Sequence, residues 1–381
     1  MSQIKTTEFA TKSEWFRCEN PRKDNKHVIG LDMGYSGAKG FYEDGYFCIP
    51  NFSVQIQGEL FGEPREDDIL YEDLQTHKKY FVGRAAIESL NTESVTDEGN
   101  LFGREHYMSS NFLIMARTAL GLALWDVKTE GKDILLQTGL PPAFLSGDEV
   151  YIRYVFEREH IFKLSVGKTT KRFHFTLKKD NIDVMKQPMG TFYSVAFDTN
   201  AKITKTGMSL FKSNTIIFDG GFGTLDKFVL MNNGRQAVSD TQPQLGMKRV
   251  FEEARQMIQT ELGISISIPG LQNCLKTGVV EKVDRIKMDF EEYPIQKYID
   301  KANTLVQKEA MEYIKNDIFN ARYLIMTGGT GAAWYDDFKM WVDKTMKGRC
   351  QVMEGNEGTG ISNIYANARG YYMAGLNAVL R

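Results

Sequence analysis

Two segments far apart in the chain share one chemical design. They are Val28-Ile29-Gly30-Leu31-Asp32-Met33-Gly34-Tyr35-Ser36-Gly37-Ala38-Lys39 and Thr215-Ile216-Ile217-Phe218-Asp219-Gly220-Gly221-Phe222-Gly223-Thr224-Leu225-Asp226. Each is an apolar, β-prone run too short for a helix; it delivers one Asp at its end and turns through Gly, Ser or Thr into a second strand-like run. Such a turn is half of a phosphate clamp. Glycines let backbone N–H groups approach phosphate oxygens, hydroxyls add donors, and the carboxylate holds a hydrated metal or a water. A third run, Tyr323-Leu324-Ile325-Met326-Thr327-Gly328-Gly329-Thr330-Gly331-Ala332-Ala333, passes from an apolar strand through glycines toward helix-forming residues. Three such turns suffice to close around one nucleotide.

A scaffold large enough to hold these turns is available. At 381 residues with 42% hydrophobic content the chain supports two or more lobes, each with its own core. The balance of 47 Lys+Arg against 49 Asp+Glu leaves a net charge of -2, so no global field points to direct nucleic-acid or membrane binding. No run of 18 uncharged apolar residues exists, and Met1 to Glu8 lacks the apolar core of a signal peptide, so a cytoplasmic location is expected. Cys18, Cys48, Cys274 and Cys350 have no C-x-x-C spacing and no His at ligand spacing, which predicts reduced thiols.

Between the turns the elements follow from periodicity. Residues 1–27 are polar and aperiodic and are expected to form a flexible or loosely docked arm, with Trp15-Phe16 either tucked against their own domain or anchoring a neighbouring subunit. A hairpin after Asp32 leads into a charged insertion over about 51–102. Residues 109–124 carry helical spacing ahead of the buried-type strand Ile134-Leu135-Leu136-Gln137-Thr138. After Gly139-Leu140-Pro141-Pro142, Ser146 and Glu149 have the spacing of a capping box. Residues 160–185 alternate as strands, and the Gly167-Lys168-Thr169 triplet among them is no P-loop, because Phe162 stands where its first glycine is needed. Helices are predicted over 242–262 and 294–318, and a last one, rich in small residues and aromatics, over 363–375.

In this order the three turns resemble the phosphate 1, phosphate 2 and adenosine motifs of the actin, hexokinase and Hsp70 ATPase superfamily, and the 363–375 helix resembles its second connecting helix. The resemblance implies an α/β fold of two actin-like lobes, each an RNase H-like mixed sheet flanked by helices, with the nucleotide in the central cleft. Lobe I would comprise 28–158 and 360–381, with a rim subdomain at 51–102. Lobe II would comprise 159–359, with its own rim subdomain at 247–318. Asp32 and Asp219 would hold the waters of a Mg²⁺ bridging the terminal phosphates of ATP or GTP. Gly34, Tyr35, Ser36, Gly37 and Lys39 would bind the phosphates from one lobe, and Gly220, Gly221, Gly223 and Thr224 from the other. Gly328, Gly329, Thr330 and Gly331 would pass under the nucleoside. Glu149 is the candidate for orienting the attacking water, with Asp148 and Arg153 as neighbours, and helix capping explains it equally well. Lys248 is a candidate for touching ribose or base, or a solvated surface lysine.

The Gly-Leu-Pro crossover and the length look most like ParM-type plasmid-segregation actins. That implies filaments, so the chain is its own partner, together with a DNA-binding adaptor on a plasmid centromere. The alternative is a monomeric ATPase or small-molecule kinase of the same superfamily.

Overall fold

In the computed structural model, residues 5–17, 26–43, 45–58, 62–89, 104–127, 133–232, 234–284 and 289–380 are described. Strand Lys26–Met33 is buried at every position after its first, as a run of Val, Ile and Leu at the centre of a sheet must be. It pairs antiparallel with Gly37–Tyr42 and parallel with Asp133–Leu140. Strands Gly45–Pro50 and Glu14–Arg17 extend one side, and Ile182–Lys186 closes the other, giving six strands. A second sheet repeats this plan. Strand Thr215–Gly220, buried throughout, pairs antiparallel with Leu225–Leu230 and parallel with Tyr323–Thr327, flanked by Gln236–Gln242 and Gln351–Glu354. Both Asp residues therefore end the central strand of equivalent hairpins. That is why two distant segments have one design.

Each central strand feeds two cores from its two faces, as a period of two requires. Ile216 and Phe218 pack against helices Met247–Leu262, Gln296–Ile318 and Gly328–Met346, while Ile217 faces Phe192, Val195 and Ile325. In the first lobe Ile29 and Leu31 meet helix Ser110–Ala123, capped by the Ser109 hydroxyl, which accepts from Phe112 N–H. Val28 turns to Tyr372, Met373 and Leu376 of the last helix, Ala366–Leu380. That helix packs on Gln187–Ala196 at the hinge, so closely that a methyl on Gly370 would overlap the Gly190 carbonyl.

Two expectations are corrected. The division between lobes at 159 is too early: strands Glu159–Val166 and Thr169–Thr176 join Ile69–Asp73, Lys79–Val82 and Ser53–Gln55 in the rim sheet of lobe I, and Ile182–Lys186 completes that lobe's main sheet. Lobe II begins with the hinge helix at Gln187. Alternation identified the strands, but the aromatic faces of Phe162 and Phe173, which pack in the core with Tyr71, are a tertiary fact. Residues 5–17 are also no loose arm. Glu14–Arg17 is a registered strand, Trp15 Nε1 donates to the Tyr42 hydroxyl (2.7 Å), and Phe9 is buried in lobe II. Cys18 lies outside the described residues, and Cys48, Cys274 and Cys350 are free thiols.

His160, on the rim sheet, is fully buried. Its Nε2 lies 3.0 Å from the Phe156 carbonyl, and its ring stacks on Phe175. Burial pushes its pKa down to about 4, aided by the charges of Arg117 and Arg158. The unfolded chain takes up this proton near pH 6.5. Between 6.5 and about 4 it thus binds more protons than the native protein, and stability must fall as pH falls through that window. The expected result is a lower urea midpoint at pH 4.5 than at pH 7, with His160→Phe flattening the difference. An unchanged slope in the variant would assign the acid sensitivity to other groups.

Candidate active site in the interlobe cleft

Asp32 and Asp219, both buried, line one cavity of about 460 Å³ between the lobes. In register opposite Asp32 stands Lys39, whose Nζ is 3.2 Å from the Asp32 carboxylate. Burial by itself would strip the proton from this lysine; Asp32, with contributions from Cys48 and Asp219, reverses that and holds its pKa above the usual value. Opposite Asp219 stands Asp226, a second carboxylate rather than a cation. Burial, with Asp219 adding to it, pushes the Asp226 pKa well above the carboxylate range, and its carboxyl oxygens accept from the Thr241 and Thr224 hydroxyls.

Asp219 carries the strongest signal. Burial raises its pKa to about 7, and Asp32 adds to this; Asn367, Lys39 and Gln187 pull the other way. Asn367 Nδ2 donates to Oδ2 at 2.7 Å, while the buried Oδ1 has no hydrogen-bond partner. A buried carboxylate oxygen without a donor is costly unless a cation or water completes it. The residues fit Mg²⁺ on that observation. Among the described residues no group of three or more His, Cys, Asp and Glu could hold a metal by itself, which suits an ion that keeps its waters and takes its remaining ligands from phosphates.

In the two glycine turns several carbonyls are tied to protein donors. Asn51 donates from its side chain to Gly34 O (2.7 Å) and from its backbone to Ser36 O (3.0 Å). In the second turn Gly221 O accepts from the Thr330 hydroxyl (2.6 Å) and Met247 N–H, and Phe222 O accepts from Lys248 N–H. Oxygens that would repel a phosphate are thereby tied down. Across the cleft the Tyr35 ring lies against Gly223 and meets the His106 ring at a tilt of 39°, centroids 4.5 Å apart. The third turn opens helix Gly328–Met346, whose N-terminal dipole favours an anion.

Several predicted residues line the cavity: Asp32, Gly34, Tyr35, Ser36, Lys39, Asp219, Gly221, Gly223, Thr224, Gly328, Gly329 and Thr330. Others serve beside it. Gly220 and Gly331 let the strand and the helix approach each other, and Gly37 lies under Thr11. Lys248 ion-pairs with Glu252 at 3.7 Å on the outer side of its helix, and its neighbour Met247 faces the cavity instead. Glu149 is displaced too. It binds Arg153 at 2.8 Å, which in turn donates to Ile182 O, and helix Leu145–Phe156 starts one residue before Ser146, so no capping box forms. Its neighbour Asp148 is the buried one.

Sequence reasoning missed Gln187. It lines the cavity, acts on Asp219, and opens the hinge helix with Pro188 in the first turn. A Gln-Pro pair after a strand is a helix-start signal, but the alternating stretch was read only to residue 185 and Gln187 was left inside the second lobe. Asn367 was noted only as part of a helix of small residues.

Residues 30–190 match the family described as actin like proteins N terminal domain, a span that ends inside the hinge helix. No curated protein sequence matches the chain. Among solved structures it is similar to a 15-stranded ParM filament from Clostridium botulinum, with TM-score 0.70 at 17% identity over 93% of this chain and 100% of that one. An archaeal actin homolog in complex with ADP matches with TM-score 0.60 at 15% identity, over 91% and 98% of the two chains. The actin-like protein Alp7A matches with TM-score 0.61 at 14%, over 93% and 96%. The chain has the two-lobed actin-like fold.

Gly328 is constrained twice. Its φ is +78°, and a Cβ there would overlap the Gly220 carbonyl and lie 2.8 Å from Asp219 Oδ1. Gly328→Ala should destabilise by about 1–2 kcal/mol from the left-handed backbone and about 1–3 kcal/mol from overpacking. Gly329→Ala, with open space around its Cβ, should leave thermal unfolding unchanged. Equal melting temperatures for the two variants would contradict this geometry.

Proposed function

We propose that this actin-like protein is an ATPase, or GTPase, whose filaments assemble with bound Mg²⁺-nucleotide and come apart after hydrolysis, moving plasmid DNA through a DNA-binding adaptor in the cytoplasm. The observation that carries the reading is the unpartnered Oδ1 of Asp219, aimed with Asp32 into a cavity bounded by three glycine turns. No helix among the described residues is long and apolar enough to cross a membrane. Polymerisation is supported by the likeness to a ParM filament. It is supported also by Val150, Tyr151 and Tyr154, exposed together on helix Leu145–Phe156, since clustered exposed apolar residues mark contact surfaces.

Mg²⁺ at this site would neutralise charge on the terminal phosphates. The protein groups do the positioning. Lys39, kept charged beside Asp32, offers a cation to phosphate oxygens. Asp219, oriented by Asn367, holds water on its open oxygen. Gln187 is the group we assign to orienting the attacking water: its amide can accept one hydrogen bond and donate another, and it stands next to Asp219 at the lobe junction. We leave Glu149 out of this assignment because it pairs with Arg153 and does not line the cavity. Because Gln187 sits on the hinge helix, closure of the lobes would place it, coupling hydrolysis to the subunit shape that a filament selects.

Light scattering should rise after Mg-ATP is added and later decay. A protein that turns over nucleotide yet stays monomeric with a non-hydrolysable analogue would favour the monomeric ATPase or kinase instead. Gln187→Ala should slow phosphate release about 100-fold or more while nucleotide still binds, giving longer-lived filaments. Asp219→Ala should cost several kcal/mol of transition-state stabilisation, on the order expected when a metal-orienting carboxylate is lost. Glu149→Gln should hydrolyse at the wild-type rate; a slowed Glu149→Gln with a normal Gln187→Ala would reverse the assignment.

A further inference from the structure

The N-terminal segment crosses from one lobe to the other over the cavity. Its first part is seated on lobe II: residues Thr6–Phe9 form a 3₁₀ turn packed on helices Ile268–Thr277 and Gly328–Met346. There Phe9 is buried in that lobe's core, and Thr6 N–H donates to Gln296 Oε1 at 3.1 Å. Its second part belongs to lobe I. Glu14–Arg17 pairs with Gly45–Pro50 in the register Glu14 to Cys48, the Glu14 carboxylate accepts from the Tyr365 hydroxyl at 2.6 Å, and Trp15 meets Trp125 edge-on. Only residues 10–13 lie between the anchors. Four residues reach at most roughly 14 Å when fully extended, so the lobes have little room to part while both anchors hold.

The bridging residues also form part of the cavity wall. Phe9, Ala10, Thr11 and Lys12 line it together with Gly221, Gly329 and Lys39. The Thr11 methyl carbon lies 3.1 Å from where a Cβ on Gly37 would stand, so it sits on the first phosphate turn. The Lys12 side chain is exposed at the rim, and its charge acts on the Cys48 thiol in the same direction as that of Lys39. Both features place the strap at the phosphate end.

We propose that residues 5–17 are a strap belonging to the nucleotide site, with Thr11 and Lys12 contacting the polyphosphate and the Phe9 anchor controlling when the nucleotide leaves. This rests on the nucleotide reading above. The lobe II anchor is the one that releases, because it depends chiefly on one buried ring and one backbone hydrogen bond, whereas the lobe I anchor is a strand pair reinforced by Trp15 and Glu14. When it opens, the lobes separate and the phosphate end is uncovered.

The test uses the full chain loaded with a fluorescent ADP carrying its label on the ribose, with Mg²⁺, and chased with unlabelled ADP in a stopped-flow instrument. Phe9→Ala should speed release about tenfold or more, as expected when a mutation acts on the dissociation step. Gln296→Ala, which removes the acceptor of the Thr6 N–H together with a bond to Asp300 within its own helix, should speed it less but in the same direction, and it covers the case in which Phe9→Ala fails to fold. Lys12→Ala should weaken binding several-fold at low salt and less at high salt, because an exposed charge is screened. Wild-type release rates in folded Phe9→Ala and Gln296→Ala would overturn the gate. Unchanged affinity in Lys12→Ala at low salt would overturn the phosphate contact. A wild-type protein that binds no labelled ADP would instead overturn the nucleotide reading itself, a result distinct from the other two.

Discussion

Everything in this molecule is arranged around two carboxylates held out of water and near each other. Burial and the charge of Asp32 together raise the pKa of Asp219, and the cation paired with Asp32 is Lys39. Such a pair survives only if the rest of the protein fixes it in place. The fold does this with two copies of one hairpin, each ending its central strand on the Asp, and with helices that carry the surrounding sheets rigidly. The asymmetry between the copies is instructive. Asp32 faces a lysine across its hairpin and pairs with it; Asp219 faces Asp226 instead, feels Lys39 only from the other hairpin, and has one buried oxygen without a hydrogen-bond partner.

What could be read from the sequence was what local chemistry dictates. Apolar runs ending in Asp and glycine declared the phosphate turns, and the periodic stretches declared the helices at Ser110–Ala123, Met247–Leu262 and Gln296–Ile318. The lobe boundary was not legible. The strands from Glu159 to Lys186 alternate in the same way whichever sheet they join, and only the packing of Phe162 and Phe173 onto Tyr71 decides the matter. With the crossover placed near Glu149, Gln187, which follows the last strand of the first sheet and lines the cavity, was passed over.

The case of Glu149 and Gln187 shows how a site can hide from motif reasoning. Glu149 sits on a helix near the crossover signal and has the right chemistry, yet helical geometry turns it toward Arg153, four residues on, a pairing that i,i+4 spacing favours. Gln187 has no motif around it. Its importance comes from standing where a strand of one lobe hands over to the hinge helix of the other, within reach of Asp219. Asn367 is equivalent from the second hinge helix. Both connections between lobes thus touch the same carboxylate, so the chemistry and the hinge share parts.

Strand Glu14–Arg17 has a consequence for how the molecule meets its neighbours. By lying along Gly45–Pro50 it takes up the row of backbone donors and acceptors that the main sheet of lobe I would otherwise present to solvent, and at four residues it is itself too short to template another chain. Long open edges invite pairing between any two copies in any register. A chain whose proposed working state is a polymer lives at high local concentration of itself, where that hazard is greatest. Blunting the edge leaves self-recognition to side-chain surfaces, which can be specific in direction and can be undone.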